Sequence, residues 1–311
     1  MSPPASLGGM AGPILVSGAT GLVGGELVRR LRAADRPVRA LTRDATKVRP
    51  DPGVIACVWN GTDVPEAAVR GAAGVVHLAG EPIFGGLPTR ARREAIRMSR
   101  IDSTRNLARA IGALPAGERP AVLVCASAIG FYGDRAEETL DERSTPGSGF
   151  LADLCVEWER EAAAVEAHGV RRVSLRFGVV LSRRGGALAM MAPVFRLGLG
   201  GRLGSGHQWM SWVHLDDAVA LALRALDDAG LAGPVNAVAP EPVRNAHFTR
   251  ALAKALRRPA FLPVPGAPLR LALGDIAGEL LGSRRVLPAR AQAAGYAFAK
   301  PAIEDAFAAE L

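Results

Sequence analysis

The sequence predicts an α/β fold: a Rossmann-like, doubly wound parallel sheet with a smaller, mostly helical C-terminal lobe. In the first half of the 311 residues, short and continuously apolar runs alternate with segments of helical periodicity. A glycine-rich turn directly follows the first run and opens a helix. Beyond about residue 185 the glycines become denser and the helical segments shorter. Continuous apolar strands that alternate with helices are typical of a parallel sheet covered on both faces.

Six strands and three long helices are expected in the first half. The strands are expected over 14–16, 38–41, 54–58, 74–80, 121–124 and 173–177. Apolar residues at helical spacing predict helices over 22–31, 96–111 and 151–165, each between two of those strands. Right-handed crossovers then give the doubly wound arrangement.

Shorter helices are expected in the second half, at about 217–228, 245–256, 268–281 and 302–310. The change of pattern divides the chain into a main α/β domain over 13–184 and a substrate-side lobe over 185–311. Parts of 208–240 are expected to complete the sheet of the main domain. The small, Pro- and Gly-rich residues 1–12 lack the basic start and apolar run of a signal peptide, so they are expected to form a flexible extension.

Composition and charge exclude several classes of protein. The formal net charge of +8 comes almost entirely from scattered arginines, without interleaved aromatic residues or a nucleic-acid motif, so no nucleic-acid partner is expected. No run approaches the ~20 apolar residues of a transmembrane helix, so no membrane partner is expected. Cys57, Cys125 and Cys155 are far apart and lack metal-ligand spacing. They are interpreted as small core residues in a reducing cytoplasm, with no metal site.

The glycine-rich turn over 18–24 predicts a dinucleotide-binding site. Its glycines permit a tight turn and let the backbone approach a pyrophosphate, which then lies at the positive end of the next helix. The alternative is a strand–helix turn without a ligand, and five further strands in the expected pattern argue against it. The residues of the turn predicted to bind the cofactor are Gly18, Thr20, Gly21, Leu22, Val23 and Gly24.

The end of the second strand predicts that the dinucleotide is NADP(H). Proteins that bind NAD usually carry an acidic residue there, ~20 residues beyond the turn, which holds the ribose 2′-hydroxyl. This chain has Thr42 and Arg43 at that place, with Lys47 soon after. A guanidinium suits the 2′-phosphate through forked hydrogen bonds. Asp44 follows the arginine and is treated as secondary, and the alternative for Arg43 is a solvated loop arginine.

Seven segments, in this order along the chain, carry a resemblance to a known family. They are 18–24, 77–80, 127–134, 150–159, 175–181, 204–209 and 212–217. With them the chain resembles the extended short-chain dehydrogenase/reductase superfamily and, more narrowly, its atypical SDR39U1-like epimerase family proteins. The segment over about 262–308 resembles the small C-terminal domain appended to that group. The resemblance covers nearly the whole chain beyond Gly12.

The resemblance implies a Rossmann domain that binds NADP through more than the glycine turn. The further contacts are implied at the ends of the second and fourth strands, on the long helix and after the sixth strand. The residues are Thr42, Arg43, Leu78, Ala79, Gly80, Arg100 and Val180. For Arg100, judged only from its place on a helix, the alternative is a solvent-exposed arginine.

The chemistry of the superfamily uses a tyrosine and, four residues later on the same helix, a lysine. Together they move a proton while a hydride passes to or from the nicotinamide. At the matching place this chain has Phe150 and Leu154, neither of which exchanges a proton. Tyr296 and Lys300 have the right spacing but lie in the C-terminal appendage, where Tyr296 is expected to pack or to cap.

Three residues that follow the fourth and fifth strands are the catalytic candidates: Ser127, Tyr132 and Glu81. Loops at the carboxyl ends of the strands line the ligand crevice of a doubly wound sheet. Glu81 offers a carboxylate acid or base, and its alternative is a loop salt bridge. Ser127 offers a hydroxyl, and its alternative is local hydrogen bonding to the backbone. Tyr132 offers a hydrogen-bond donor, and its alternative is a structural role.

His207, Gln208 and Trp209 lie in a glycine-rich loop and are candidates for substrate contact by hydrogen bonding and stacking. The alternative for His207 is a surface histidine whose hydrogen bonds are satisfied.

The predicted function is an NADP(H)-dependent oxidoreductase or epimerase-like enzyme with a small, polar substrate and with a homodimer as its candidate assembly. The competing hypothesis is a non-catalytic NADP(H)-binding sensor or interaction protein, which the missing Tyr/Lys pair favours.

Overall fold

The computed structural model of the chain describes residues 12–84, 86 and 89–311. The flexible extension predicted for 1–12 lies outside the described residues, apart from Gly12. Within the described part, the strands are β1 (Ile14–Ser17), β2 (Val38–Thr42), β3 (Val54–Val58), β4 (Gly74–His77), β5 (Val122–Ala128), β6 (Thr139–Leu140), β7 (Arg171–Phe177), β8 (Val179–Ser182), β9 (Trp209–Met210), β10 (Trp212–His214), β11 (Gly233–Ala237), β12 (Val243–Arg244) and β13 (Arg285–Val286). The helices are α1 (Leu22–Ala33), α2 (Glu66–Val69), α3 (Arg90–Ala113), α4 (Phe150–Ala163), α5 (Gly186–Arg196), α6 (Leu215–Asp227), α7 (Asn245–Leu256), α8 (Gly266–Leu273), α9 (Ala277–Leu281), α10 (Ala289–Ala293) and α11 (Ile303–Glu310).

Seven strands form one central sheet in the order β11-β7-β5-β4-β1-β2-β3, and all of its pairs are parallel. The direction of winding reverses between β1 and β4. Ligands of doubly wound sheets bind at such a switch point, beyond the carboxyl ends of the strands. Three smaller two-stranded sheets, β8 with β10, β9 with β12 and β6 with β13, connect the rest of the chain.

Each face of the sheet is covered by its own pair of helices. In β1, Ile14 and Val16 face one side and Leu15 the other, since successive side chains of a strand alternate. Leu15 belongs to the core packed by α3 and α4, which includes Trp158. Ile14 and Val16 belong to the core packed by α1 and α6. This double burial is why the strands appear in the sequence as continuous apolar runs.

The predicted fold class is confirmed, and all six predicted strands are present. The fourth ends at His77, so 78–80 form a loop at the switch point. The fifth extends to Ala128 and brings further residues to the same edge. The single helix predicted over 268–281 is wrong, because the chain forms α8, a 3-10 turn and α9 there. Gly274, with a φ of +56°, ends α8 in a conformation that favours glycine.

The C-terminal segment is fastened to α6 by a buried carboxylate. Asp217 is 1% exposed and accepts hydrogen bonds from the Tyr296 hydroxyl at 2.8 Å, the Ala299 amide at 2.8 Å and the Lys300 amide at 3.0 Å. Burial beside this carboxylate raises the pKa of Tyr296. Tyr296 therefore packs in the appendage, as the sequence predicts.

No helix in the described ranges is long and apolar enough to cross a membrane.

Candidate cofactor and reaction site

The glycine turn between β1 and α1 is shaped by close backbone approaches. A Cβ on Gly24 would lie 2.1 Å from the Gly18 carbonyl oxygen, and one on Gly18 would lie 2.8 Å from the Leu78 carbonyl carbon. Gly18 also has a φ of +68°. Gly21 precedes α1 with no side-chain cap and no acidic residue in the first turn of the helix. The helix amides and the positive end of α1 are thus available to a phosphate.

A cleft of about 900 Å³ opens from this turn along α1. Thr20, Gly21 and Leu22 line it, while Val23 packs into the core. Several basic side chains also line the cleft: Arg29, Arg32, Lys47, Arg49 and Arg184. Such a concave, cationic wall beside a glycine turn suits a polyphosphate ligand.

Glu26, which also lines the cleft, binds two of those basic side chains. Its carboxylate is 4% exposed and accepts hydrogen bonds from Arg29, Arg30 and Arg184 at 2.6–3.1 Å. The hydrogen bonds from Arg29, followed by those from Arg30 and Arg184, lower the pKa of Glu26 to about 2 against the opposing effect of burial. Arg184 follows β8, so this carboxylate also ties the second half of the chain to α1.

The end of β2 presents a cation rather than a carboxylate. The Thr42 hydroxyl donates to the Asp44 carbonyl at 3.0 Å. Asp44 Oδ1 accepts from the amide and the hydroxyl of Thr46 at 3.0 and 2.6 Å, so this carboxylate caps its own loop. Arg43 is exposed and makes no hydrogen bond or ion pair with a described residue. Its guanidinium is therefore available to a ligand.

A buried Ser–His–Ser chain fixes the loop after β4. Ser17 Oγ accepts the amides of Leu78 and Ala79 at 3.1 and 3.2 Å, so its own hydrogen goes to His77 Nδ1 at 2.6 Å. His77 Nε2 then carries the hydrogen and donates to Ser103 at 3.2 Å. His77 is fully buried, and burial lowers its pKa to about 4. It is a neutral positioning group for Leu78 and Ala79, as its place in an apolar strand indicates.

This depressed pKa predicts a loss of stability in mild acid. Below pH 6.5 the unfolded chain protonates His77 while the folded chain does so only near pH 4. The free energy of unfolding therefore falls by about 3 kcal/mol as the pH drops through that window. Urea unfolding of wild type and His77→Asn at pH 7 and pH 5 measures about 2 kcal/mol of this loss, since pH 5 still lies above the pKa of His77 in the folded chain. The variant should lose this part of the pH dependence, whereas His168→Asn, at an exposed histidine, should keep it. Equal pH dependence in all three proteins would contradict the assignment.

A second cavity, of about 200 Å³, lies between the ends of β4 and β5. Leu78, Ala79 and Gly80 form one wall, Ser127 and its neighbours on β5 another. Arg100 of α3 enters from the side, only 9% exposed, and donates to the carbonyl groups of Glu81 and Ile96. Burial lowers the pKa of Arg100, which still remains the cation of this cavity. The alternative interpretation, that Arg100 is a solvent-exposed arginine, is therefore wrong.

The wall formed by α4 is apolar. Leu151, Leu154 and Cys155 line the cavity, whereas Phe150 packs with the core and is not part of the lining. Leu151 and Cys155 are four residues apart on the same helical face. A Tyr-x-x-x-Lys pair facing this cavity would thus occupy 151 and 155, one residue beyond Phe150 and Leu154. The conclusion that the pair is missing holds in either register.

Ser127 and Tyr132 belong to a buried network. Ser127 Oγ donates to Glu159 at 2.7 Å, and Arg176 donates to both oxygens of Glu159 at 2.7 and 2.8 Å. Arg176 also donates to the Tyr132 hydroxyl at 2.9 Å, which donates to Asn236 at 2.7 Å. Tyr132 is fully buried, and burial raises its pKa to about 12. Tyr132 is therefore a structural donor, and Ser127 reaches the cavity with its hydrogen already engaged.

The remaining candidates do not line the second cavity. Glu81 Oε1 accepts from Arg92 at 2.7 Å, which is the loop salt bridge of its alternative interpretation. Gln208 is 7% exposed and donates to two backbone carbonyls. Trp209 donates to Glu137 and packs against two arginines, and His207 is exposed. Val180 of β8 packs partly buried in the same core as Leu22.

Residues that sequence reasoning missed complete the second cavity. Glu279, from α9 of the C-terminal segment, lines the second cavity, and Glu159 and Arg176 support Ser127 behind it. No local pattern marks Glu279, which lies more than 110 residues beyond the end of α4. Among the described residues, no group of three or more His, Cys, Asp or Glu side chains is arranged to hold a metal ion.

Comparisons with known proteins agree with this architecture. The model of the NAD dependent epimerase/dehydratase family matches residues 14–238, and that of a domain of unknown function, DUF1731, matches residues 264–310. A similar protein is the epimerase family protein SDR39U1 homolog, chloroplastic, of Arabidopsis thaliana, 40% identical over 306 residues. That alignment covers 95% of this chain and 86% of the relative. Epimerase family protein YfhF of Bacillus subtilis is 35% identical over 94% of this chain and 96% of its own length.

A solved structure has the same fold over almost the whole chain. The crystal structure of the human epimerase family protein SDR39U1 (isoform 2) with NADPH superposes with a TM-score of 0.85 at 32% identity. The superposition covers 96% of this chain and 98% of the human chain. The shared fold thus includes the C-terminal segment as well as the central sheet.

Proposed function

The chain belongs to the NAD dependent epimerase/dehydratase family, and from this membership we propose that it binds NADP(H) and acts as an oxidoreductase or epimerase-like enzyme on a small, polar substrate. The observation that carries the choice of NADP(H) is the end of β2. There Arg43 is exposed and unpaired toward the described residues, while the neighbouring Asp44 carboxylate is bonded to Thr46. The NADPH bound to the human relative supports the same choice.

The residues present fit this cofactor. Only glycine fits at 18 and 24, and the uncapped first turn of α1 would receive the pyrophosphate. Arg43 would hold the 2′-phosphate, with Thr42 shaping the loop. Leu78, Ala79 and Gly80 would face the nicotinamide half, with Arg100 and Val180 on either side. When bound, NADP(H) supplies or accepts a hydride.

Replacing Arg43 by alanine tests the cofactor assignment. The variant should bind NADPH about twentyfold more weakly because it loses hydrogen bonds to a charged phosphate, while NADH binding should stay nearly unchanged. Isothermal titration calorimetry with both cofactors measures the difference. Arg250→Ala, at an exposed arginine of α7, is the matched control and should bind both as wild type does. If wild type prefers NADH, or if Arg43→Ala weakens both cofactors equally, the NADP(H) assignment is wrong.

The apolar α4 wall supports the alternative function, which is a non-catalytic NADP(H)-binding sensor or interaction protein. Leu151 and Cys155 stand where a proton-transferring pair would face the cavity, and burial raises the pKa of the Cys155 thiol to about 12. A screen of carbonyl compounds and sugar nucleotides, in which the absorbance of NADPH reports turnover, separates the two functions. Turnover of any compound supports the enzyme, and tight cofactor binding without turnover favours the sensor.

A further inference from the structure

We propose that Glu279, delivered by the C-terminal segment, is the proton-transferring group of the cavity between β4 and β5. Glu279 would supply the proton transfer that Leu151 and Cys155 of the α4 wall do not supply. The inference rests on the proposed function, because it takes this cavity to be the place where the nicotinamide half of NADP(H) meets the substrate.

The Glu279 carboxylate is held in place on one side and open on the other. Its Oε2 accepts from Arg284 Nη1 at 3.2 Å. Arg284 is itself 6% exposed and anchored, since it donates to the carbonyl groups of Gly133 at 2.9 Å and Gly278 at 3.1 Å. No described residue donates to Oε1, which lies 3.0 Å from the position of a Cβ on Gly130 at the cavity wall. An anchored carboxylate with one open oxygen has the geometry of an acid–base group.

The other polar groups of the cavity are already committed. Ser127 donates its hydrogen to Glu159, and Arg100 carries a cation. Burial keeps the Cys155 thiol protonated, with its pKa at about 12, and the nearby Glu279 charge contributes to that shift. Among the described residues that line the cavity, Glu279 is the one carboxylate. Glu279 is therefore the one of these groups with an oxygen open to exchange a proton with a ligand in the cavity.

The chemistry that this arrangement supports is the interconversion of an alcohol and a carbonyl. As the C–H bond of the carbinol breaks, its electron pair leaves with the hydrogen for NADP⁺, and the C=O bond forms. The hydroxyl proton passes to Oε1 of Glu279, so the products are a carbonyl compound, NADPH and a neutral carboxylic acid. The reverse direction returns that proton to the oxygen of the carbonyl. Small alcohols or carbonyl compounds, including those of sugars, are the substrate class.

The test compares binding of NADP⁺ and NADPH, which does not depend on a known substrate. Oxidised nicotinamide is positively charged and reduced nicotinamide is neutral, so a carboxylate beside the ring stabilises the oxidised form. Glu279→Gln should weaken NADP⁺ binding about tenfold while changing NADPH binding less than about twofold. Glu66→Gln, at an exposed glutamate of α2, is the control and should change neither. Calorimetric titration with each form measures both constants.

An unchanged ratio of the two constants in a folded Glu279→Gln protein overturns the inference and leaves the proposed function standing. Wild type that binds neither form overturns the proposed function and this inference together. A crystal structure of wild type with NADP⁺ decides the question if the variant does not fold. It should place the carboxylate within about 7 Å of the nicotinamide C4, the reach of a hydroxyl between them. A nicotinamide outside this cavity overturns the inference.

Discussion

Alanine at Gly24 is expected to weaken NADPH binding at least about hundredfold and to lower the free energy of unfolding by about 2 kcal/mol. The added Cβ would lie 2.1 Å from the Gly18 carbonyl oxygen and 2.8 Å from its carbon. These are backbone atoms, which cannot rotate away as a side chain can. Gly18 in turn lies against Leu78, so the clash can be relieved only by opening the turn that receives the pyrophosphate. Calorimetric titration with NADPH and urea unfolding measure the two effects.

The neighbouring glycine supplies a matched control. A Cβ on Gly25 would meet only the Ala19 carbonyl oxygen, at an ordinary 3.5 Å. Gly25→Ala should therefore bind NADPH within about threefold of wild type, and alanine in a helix should add about 0.5–1 kcal/mol to stability. If Gly24→Ala binds as tightly as Gly25→Ala, the close packing of the turn is not what holds the cofactor.

The main sheet could be predicted because its strands are buried on both faces and so leave continuous apolar runs. β11 was not among the predicted strands, although parts of 208–240 were expected to join the sheet. Its residues Gly233, Pro234 and Asn236 lack the apolar pattern, and proline is tolerated there because β11 is an edge strand. The break between α8 and α9 was missed because a single glycine within a helical pattern does not by itself end a helix, although Gly274 adopts a positive φ there.

The glycine turn and the exposed Arg43 at the end of β2 could be located from the sequence because both depend on local residue types. The contacts of the second cavity could not, because they join distant segments. The Glu81 carboxylate is taken by Arg92, eleven residues away, and Ser127 by Glu159, thirty-two residues away. The helix register on α4 shifts the lining from Phe150 to Leu151, which composition alone does not reveal. The homodimer and the cytoplasmic location stay predictions.

Arg176→Ala is expected to cost about 3–5 kcal/mol of stability, the largest loss for a single side chain of the network behind Ser127. Arg176 is 3% exposed, donates twice to Glu159 and once to Tyr132, and its guanidinium lies 3.5 Å from the centre of the Phe131 ring. Its removal leaves the carboxylate of Glu159 poorly paired in the interior. Urea unfolding at neutral pH measures the change.

Arg172, on the same strand, is the matched control. It pairs with Glu166, whose side chain is 50% exposed, so Arg172→Ala should cost no more than about 1 kcal/mol of stability.

The double variant Arg176→Met, Glu159→Leu separates the effect of charge from the effect of packing. Because it removes both buried charges at once, it should recover most of the stability that Arg176→Ala loses. If the double variant is as unstable as Arg176→Ala, the loss comes from packing against Phe131 and not from the unpaired carboxylate. If the double variant recovers stability, its Ser127 hydroxyl is no longer bound to Glu159 and is free at the wall of the cavity. The effect of this free hydroxyl on cofactor binding can then be measured directly.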